Sequence, residues 1–169
     1  PFAMEGERVA CGSAHADNVA PSLLGGFVVI RSYKPLDVIK IPSPDNIFCT
    51  VINPMVEVRT EYARSILKKE VPFDKALVHF GNIAGLITGL FTGDLDLIGR
   101  SLEDVIVEPL RAQLIPGFYD IKKAALSSGA MGCSISGSGP SVFALSSSLE
   151  FAEKIGKAME IVLNELDIK

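Results

Sequence analysis

The pattern of apolar and polar positions predicts a β-hairpin preceded by a helix in the first quarter of the chain. Residues 26–31 are a β-branched apolar run, and residues 36–41 alternate apolar and polar side chains, as strands do. Residues 13–24 predict a short helix that ends at Gly25. Pro21 should limit the length of this helix or lie in its first turn, because proline lacks a main-chain N–H.

A proline-rich segment, 42–46, is the best candidate for a linker. We therefore expect a short N-terminal piece over residues 1–45 and a larger domain over residues 46–169. Beyond the linker, the periodicities predict strands at 48–52, 131–135 and 142–145, and helices at 56–67, 73–92, 94–102, 118–127 and 149–166. This order predicts an α+β, ferredoxin-like domain that lacks its last strand.

Several details of the helices can also be predicted. Glu57, Thr60 and Arg64 should share one face of the helix at 56–67. The next helix has candidate breaks at Gly81 or Gly85. Thr92 or Asp94 should cap the helix at 94–102, and residues 108–111 read as a loop or short turn. The buried stripe of the last helix is expected at Phe151, Ile155, Ala158, Val162 and Leu166.

Composition narrows the function classes. The 169 residues are 48% apolar, which is enough for a buried core. The net charge of −4 and the absence of Trp argue against nucleic acid as a partner. No apolar run reaches the ~18 residues of a membrane helix, and no leader precedes the first helix. The three cysteines, Cys11, Cys49 and Cys133, are widely spaced, which favours buried thiols in a reducing cytoplasm over a disulfide framework or a zinc site.

A glycine-rich segment between the last two predicted strands is the first candidate for chemistry. It contains Gly137, Ser138 and Gly139. Glycines allow successive main-chain N–H groups to form a concave anion site, but an ordinary strand-to-strand turn has the same composition. It is not a Walker loop, because no Gly-Lys-Ser/Thr follows.

A polar cluster at the start of the first predicted helix is the second candidate. It contains His15, Asp17 and Asn18. Asp17 and Asn18 could act as helix N-caps, with His15 in the loop, or Asp17 and Asn18 could bind a small polar substrate.

Two arginines in apolar surroundings are the third candidate. Arg64 follows Ala63, and Arg111 follows Leu110. A guanidinium binds a carboxylate through two parallel hydrogen bonds, which lysine cannot do. The pair therefore indicates a carboxylate or phosphate site, although solvated or ion-paired arginines are common.

Four segments together resemble a known family. They are His-Ala-Asp-Asn-Val-Ala-Pro at 15–21, Gly-Gly-Phe at 25–27, Val-Glu-Pro-x-Arg-x-x-Leu-x-Pro-Gly at 107–117 and Ser-Ile-Ser-Gly-Ser-Gly-Pro at 134–140. They resemble the homoserine kinases, which belong to the superfamily of galactokinase, mevalonate kinase and phosphomevalonate kinase. The first and third strings are fairly specific to that family, and the Gly-Ser-Gly loop is common to the superfamily.

The resemblance implies phosphorylation of the L-homoserine hydroxyl by ATP with Mg²⁺, a step of threonine biosynthesis. It assigns catalysis to Asp17 and Asn18, with Asp17 as a general base or as the partner of the substrate ammonium. The substrate-binding residues that it implies are His15, Asp17, Asn18, Thr60, Arg64, Arg111 and Gly137. The loop that it places near the phosphates is Ser136, Gly137, Ser138 and Gly139. It implies no metal ligand among these residues.

One feature of the superfamily has no counterpart in the sequence. The phosphate loop Pro-x-x-Ser-Ala-Gly-Leu-Gly-Ser-Ser does not occur. The resemblance therefore implies that the chain is the C-terminal portion of such a kinase, with residues 1–45 a remnant of its N-terminal ATP- and substrate-binding domain and residues 46–169 its C-terminal domain. We expect the chain to be inactive alone and to bind ATP weakly, and a homodimer is possible. The alternatives are another small-molecule kinase of the superfamily and a non-catalytic α+β domain that binds amino acids.

Overall fold

The structure is a computed structural model that describes residues 2–11 and 14–168. Contacts between Cα atoms divide the chain into two compact units, Pro1–Pro44 and Asp45–Lys169. Within the described part of the chain, no helix combines the length and the apolar character needed to cross a membrane.

The N-terminal unit consists of helices and a hairpin. Its elements are α1 (Phe2–Cys11), α2 (Ala16–Leu24), β1 (Phe27–Tyr33) and β2 (Leu36–Ile41). The two strands pair antiparallel, with Phe27 opposite Ile41 and Tyr33 opposite Leu36, which confirms the predicted hairpin. Helix α1 was not predicted, because Gly6 and the β-branched Val9 weaken the helix signal of this segment.

Helix α2 confirms the predicted helix and its end at Gly25, but the prediction for Pro21 was wrong. Pro21 lies inside the helix, beyond its first turn. A proline removes one main-chain N–H, and the turn after it is nevertheless complete. The Gly25 N–H donates to the Pro21 carbonyl at 2.8 Å, and Ser22 Oγ donates to the Asn18 carbonyl at 2.8 Å.

The C-terminal unit combines an antiparallel sheet with helices. Its elements are β3 (Phe48–Ile52), α3 (Thr60–Ser65), α4 (Phe73–Thr92), α5 (Leu95–Ser101), α6 (Glu108–Arg111), a 3₁₀ turn (Ala112–Leu114), α7 (Phe118–Ser127), β4 (Gly132–Ile135), β5 (Val142–Ser146) and α8 (Leu149–Glu165). The strand order is β3-β5-β4, and both pairs are antiparallel. The last strand therefore lies between the first two, as in a split ferredoxin-like unit, and the predicted fold class is confirmed.

The core of this unit lies between the sheet and helices α7 and α8. Its fully buried side chains include Phe118, Ile121, Val142, Ile155 and Met159. Burying a side chain of this size stabilises the fold by about 1.5–3 kcal/mol. The core therefore fixes β4 and β5, which flank the glycine-rich loop, and α7.

Helix α3 is shorter than predicted. Residues 56–59 are not helical, and Arg59 has an extended backbone with φ −67° and ψ 124°. The β-branched Val56 and Val58 disfavour a helix here. Glu57 therefore lies outside the helix and pairs with Arg59 at 3.0 Å, so the prediction that it shares a helical face with Thr60 and Arg64 was wrong.

Helix α4 is continuous, so the predicted break at Gly81 or Gly85 was also wrong. A Cβ atom at Gly85 would lie 2.4 Å from Ser101 Oγ, and one at Gly89 would lie 2.8 Å from Ile98 Cγ1. Gly85 and Gly89 therefore allow α5 to approach α4 closely. The predicted cap of α5 is confirmed at Asp94, whose side chain accepts from the Leu97 N–H at 2.9 Å.

Helix α8 buries only part of the predicted stripe, since Ile155 is fully buried and Val162 packs against the core. Its buried residues are Ala152, Ile155, Met159 and Leu163, whereas Phe151 and Leu166 are exposed. The side of α8 that carries the small residue Ala152 packs against β3, where Thr50 Oγ1 donates to the Ala152 carbonyl at 2.8 Å. The size of an apolar side chain therefore does not predict which face of α8 is buried.

Two further predictions need correction. Residues 108–111 form a helical turn, α6, rather than a loop, and a 3₁₀ turn follows it. Cys133 is buried as predicted, but Cys49 is exposed; β3 is an edge strand with alternate side chains facing outward. The side chain of Cys11 lies outside the described residues.

Candidate functional site

The C-terminal unit brings five of the predicted site residues together. We call Thr60, Arg64, Arg111, Gly137 and Ser138 the Arg111 cluster. At its centre, Arg111 Nη1 donates to the Gly137 carbonyl at 2.6 Å. Its Nε donates to the carbonyl of residue 63 on α3 at 3.3 Å. The guanidinium thus joins α6, α3 and the glycine-rich loop.

Helix α3 supplies two members of the Arg111 cluster, Thr60 and Arg64. Thr60 and Arg64 are four residues apart on this helix and therefore lie on the same side of it. Thr60 Oγ1 lies 3.5 Å from Ser138 Oγ. Arg64 is close enough to Arg111 for the two positive charges to repel each other.

The electrostatics of the cluster favour an anion. Burial lowers the pKa of the Arg111 guanidinium, the negative charge of Asp104 raises it, and the positive charge of Arg64 lowers it again. An arginine remains protonated at neutral pH despite such effects. Two neighbouring positive charges, one of them partly buried, therefore make a bound carboxylate or phosphate electrostatically favourable.

The glycine-rich loop has a backbone that needs glycine. Gly137 has φ 59° and Gly139 has φ 82°, a region that other residues rarely adopt. The Ser136 N–H donates to the Ser141 carbonyl at 2.8 Å, and the Gly139 N–H donates to the Ser136 carbonyl at 3.0 Å. Ser141 Oγ also donates to Asn53 Oδ1 at 2.8 Å, so the loop is held at both ends.

Arg111 keeps hydrogen-bonding capacity for a ligand. Its bonds to other described residues use two of the five N–H groups of a guanidinium. The remaining groups can bind a carboxylate through parallel hydrogen bonds, the strongest geometry for this pair.

The N-terminal unit holds three predicted site residues, His15, Asp17 and Asn18, at the start of α2. Asp17 Oδ1 accepts a hydrogen bond from the Tyr33 hydroxyl at 3.1 Å. The pKa of Tyr33 is raised, first by desolvation and then by the hydrogen bond and negative charge of Asp17. His15 occupies the N-cap position but makes no side-chain cap. Asp17 and Asn18 lie in the first turn, so they are not N-caps either.

His15 and Asn18 both lie near Glu7 of α1. His15 Nδ1 lies 3.1 Å from Glu7 Oε1, and both side chains are largely buried. Glu7 and Asn18 also line a small cleft between α1 and α2, together with Val19 and Ser22. The pattern of the sequence gave no signal for Glu7 or for Tyr33, because each meets its partner through tertiary packing.

A second group missed by the sequence analysis surrounds Glu108. Ser134 Oγ donates to Glu108 Oε2 at 2.6 Å, and Lys122 Nζ pairs with Oε1. Lys122 also lies 5.9 Å from the centre of the Phe118 ring. Only the Val-Glu-Pro-x-Arg string had drawn attention to Glu108.

Comparison with protein families identifies the class. Residues 86–165 match the family described as GHMP kinases C terminal. This segment contains the end of α4, helices α5 to α7, strands β4 and β5, and the whole of α8, and therefore Arg111 and the glycine-rich loop. Over this segment, the chain is thus similar to the C-terminal domains of the GHMP kinases.

Within that class, the chain is a homologue of the homoserine kinases. It is 61% identical over 168 residues to the homoserine kinase of Chlorobium phaeobacteroides strain BS1, which covers 99% of this chain and 52% of that protein. The structure of homoserine kinase from Cytophaga hutchinsonii superposes with a TM-score of 0.97 and 60% identity, covering 100% of this chain and 54% of that one.

A more distant match shows the fold alone. The structure of L. major mevalonate kinase in complex with R-mevalonate superposes with a TM-score of 0.77 at 18% identity and covers 94% of this chain and 52% of that one. The chain spans about half the length of the curated relatives that it matches.

Proposed function

We propose that the full-length protein that includes this chain phosphorylates L-homoserine. The side-chain hydroxyl oxygen forms a bond to the γ-phosphorus of ATP, the bond from that phosphorus to the β-γ bridging oxygen breaks, and the hydroxyl proton is lost. The products are O-phospho-L-homoserine and ADP, and the reaction would belong to threonine biosynthesis. The similarity to homoserine kinases over 99% of the chain supports this proposal.

The observation that carries the proposal is the setting of Arg111. Two main-chain carbonyls fix the guanidinium, Arg64 adds a second positive charge, and unused N–H groups remain. This arrangement suits the α-carboxylate of an amino acid. Thr60 and Gly137 would border the same carboxylate, since both lie in the cluster.

For the N-terminal unit, the resemblance to the homoserine kinases implies roles for the residues at the start of α2. Asp17 would face the substrate ammonium or accept the hydroxyl proton, and Asn18 would bind the hydroxyl. His15 would support them from the same helix start. Tyr33 orients one oxygen of Asp17, which is the kind of preorganisation on which phosphoryl transfer depends.

ATP is the phosphoryl donor that the kinase family implies, and the loop of Ser136, Gly137, Ser138 and Gly139 would lie near its phosphates. Mg²⁺ accompanies ATP in such reactions. Among residues 2–11 and 14–168, no three His, Cys, Asp or Glu side chains form a group that could hold a metal ion.

Substitution of Arg111 tests the assignment of the carboxylate site. In the full-length protein, Arg111→Ala should raise the KM for homoserine while the KM for ATP stays unchanged. Loss of one partner of a partly buried charge pair costs about 2–5 kcal/mol, which corresponds to an increase of at least roughly 30-fold. Steady-state kinetics with each substrate varied in turn measures both constants.

Arg100→Ala is the matched control, because Arg100 is an exposed arginine at the end of α5. Its kinetics should equal those of the wild type. An unchanged homoserine KM in Arg111→Ala would remove Arg111 from the site. Homoserine binding without any phosphorylation by the full-length protein would favour the alternative of a non-catalytic amino-acid-binding domain.

A further inference from the structure

A buried carboxylate lies at the start of the helical turn that carries Arg111. Glu108 is 6% exposed. Its Oε2 accepts a hydrogen bond from Ser134 Oγ of β4 at 2.6 Å, and its Oε1 pairs with Lys122 Nζ of α7. Both oxygens are therefore held, each by a different element of the core.

The Glu108 side chain, held by Ser134 and Lys122, is directly connected to Arg111 through the main chain of α6. Glu108 and Arg111 are the first and last residues of α6. The Ala112 N–H donates to the Glu108 carbonyl, and the Arg111 N–H donates to the Val107 carbonyl at 3.0 Å. The position of Glu108 thus determines where the Arg111 side chain begins.

Stability alone does not explain the contacts of Glu108 with Ser134 and Lys122. A single helical turn is not stable by itself. A buried ion pair adds little net stability compared with well-packed apolar side chains, because removing two charges from water offsets their attraction. What the pair supplies is a defined geometry for α6.

We propose that Glu108 is a positioning residue that orients Arg111 toward the substrate carboxylate. The inference rests on the proposed function, since it assumes that Arg111 binds this carboxylate. Ser134 and Lys122 act with Glu108, because they hold its two oxygens.

The test is Glu108→Gln in the full-length protein. The amide keeps the shape of the side chain but cannot neutralise Lys122. A small displacement of Arg111 should raise the KM for homoserine about 10- to 100-fold. The KM for ATP should not change, nor should kcat/KM for 3-aminopropan-1-ol, which lacks the carboxylate. Glu160→Gln, an exposed acid-to-amide change on α8, should match the wild type in all three measurements.

Two further variants keep the proposal testable if Glu108→Gln does not fold. Ser134→Ala removes one hydrogen bond and leaves the ion pair, and it should raise the homoserine KM by a smaller factor in the same selective way. Adding Glu108→Gln to Arg111→Ala should cause no further rise, because both changes act through one guanidinium. An unchanged homoserine KM in folded Glu108→Gln, or in Ser134→Ala when the former is unfolded, overturns the inference.

The failure of this inference is distinguishable from the failure of the proposed function. If the wild-type protein does not phosphorylate homoserine, the proposed function is wrong and the inference falls with it. If the wild type is active and Glu108→Gln lowers kcat/KM for homoserine and 3-aminopropan-1-ol equally, only the positioning role is overturned.

Discussion

The described cysteine thiols have different environments, which predicts different reactivity. Burial raises the pKa of the Cys133 thiol to about 12, so at pH 8 roughly one thiol in 10⁴ is ionised, and the thiolate is the reactive form. Cys49 lies on an edge strand and is exposed, although partial desolvation raises its pKa too.

Iodoacetamide at pH 8 should therefore label Cys49 well before Cys133, and peptide mass spectrometry measures both. Labelling of Cys49 should accelerate as the pH rises toward its pKa, since a raised pKa means less thiolate at neutral pH. In urea both residues should react. Equal labelling in the folded protein would contradict the burial of Cys133.

The Tyr33 hydroxyl should contribute to activity through Asp17. Tyr33→Phe removes the 3.1 Å hydrogen bond, which is worth about 1 kcal/mol and hence roughly a fivefold fall in kcat/KM for homoserine. Tyr119→Phe is the control, because Tyr119 is an exposed tyrosine of α7. Steady-state kinetics of the full-length protein in which Tyr33→Phe equals Tyr119→Phe would show that Asp17 does not need this bond.

Among the secondary-structure elements, the contact of α4 with α5 gives a matched pair of glycine substitutions. In Gly89→Ala the new methyl group would lie 2.8 Å from Ile98 Cγ1 and 3.0 Å from the Ile98 main-chain nitrogen. Such overpacking destabilises a fold by about 1–3 kcal/mol. Gly81 lies on the same helix with nothing within 4 Å, so Gly81→Ala should stabilise by about 0.5–1 kcal/mol.

Urea denaturation measures the free energy of unfolding of both variants. Opposite signs are expected for the two substitutions. A Gly89→Ala protein as stable as Gly81→Ala would show that α4 and α5 are not in close contact at this point.

Local signals predicted most elements and failed where tertiary contacts decide. The hairpin and the Asp94 cap follow from residues that are neighbours in the sequence. Gly85, a predicted break, lies instead inside a continuous α4, where Gly85 and Gly89 leave room for the close approach of α5. The buried face of α8 depends on its close approach to Thr50, which is 102 residues away from Ala152.

For the molecule as a whole, the same limit applies to the candidate site. Arg111 meets the carbonyls of residues 48 and 26 positions away, so no periodicity could have joined them. The short strings of residues indicated which side chains matter, and the fold of the C-terminal unit brings Thr60, Arg111 and Gly137 together. The roles of His15, Asp17 and Asn18, the domain boundary at residue 45, a homodimer and a cytoplasmic location stay predictions.

The transfer of labelled phosphate from [γ-³²P]ATP is the measurement that tests the central claim most directly. The full-length protein should place the label on the hydroxyl of L-homoserine and give O-phospho-L-homoserine. With 3-aminopropan-1-ol at the same concentration it should transfer little label, because Arg111 and Arg64 then have no carboxylate to bind. No labelled homoserine product, or equal labelling of the two compounds, would contradict the account.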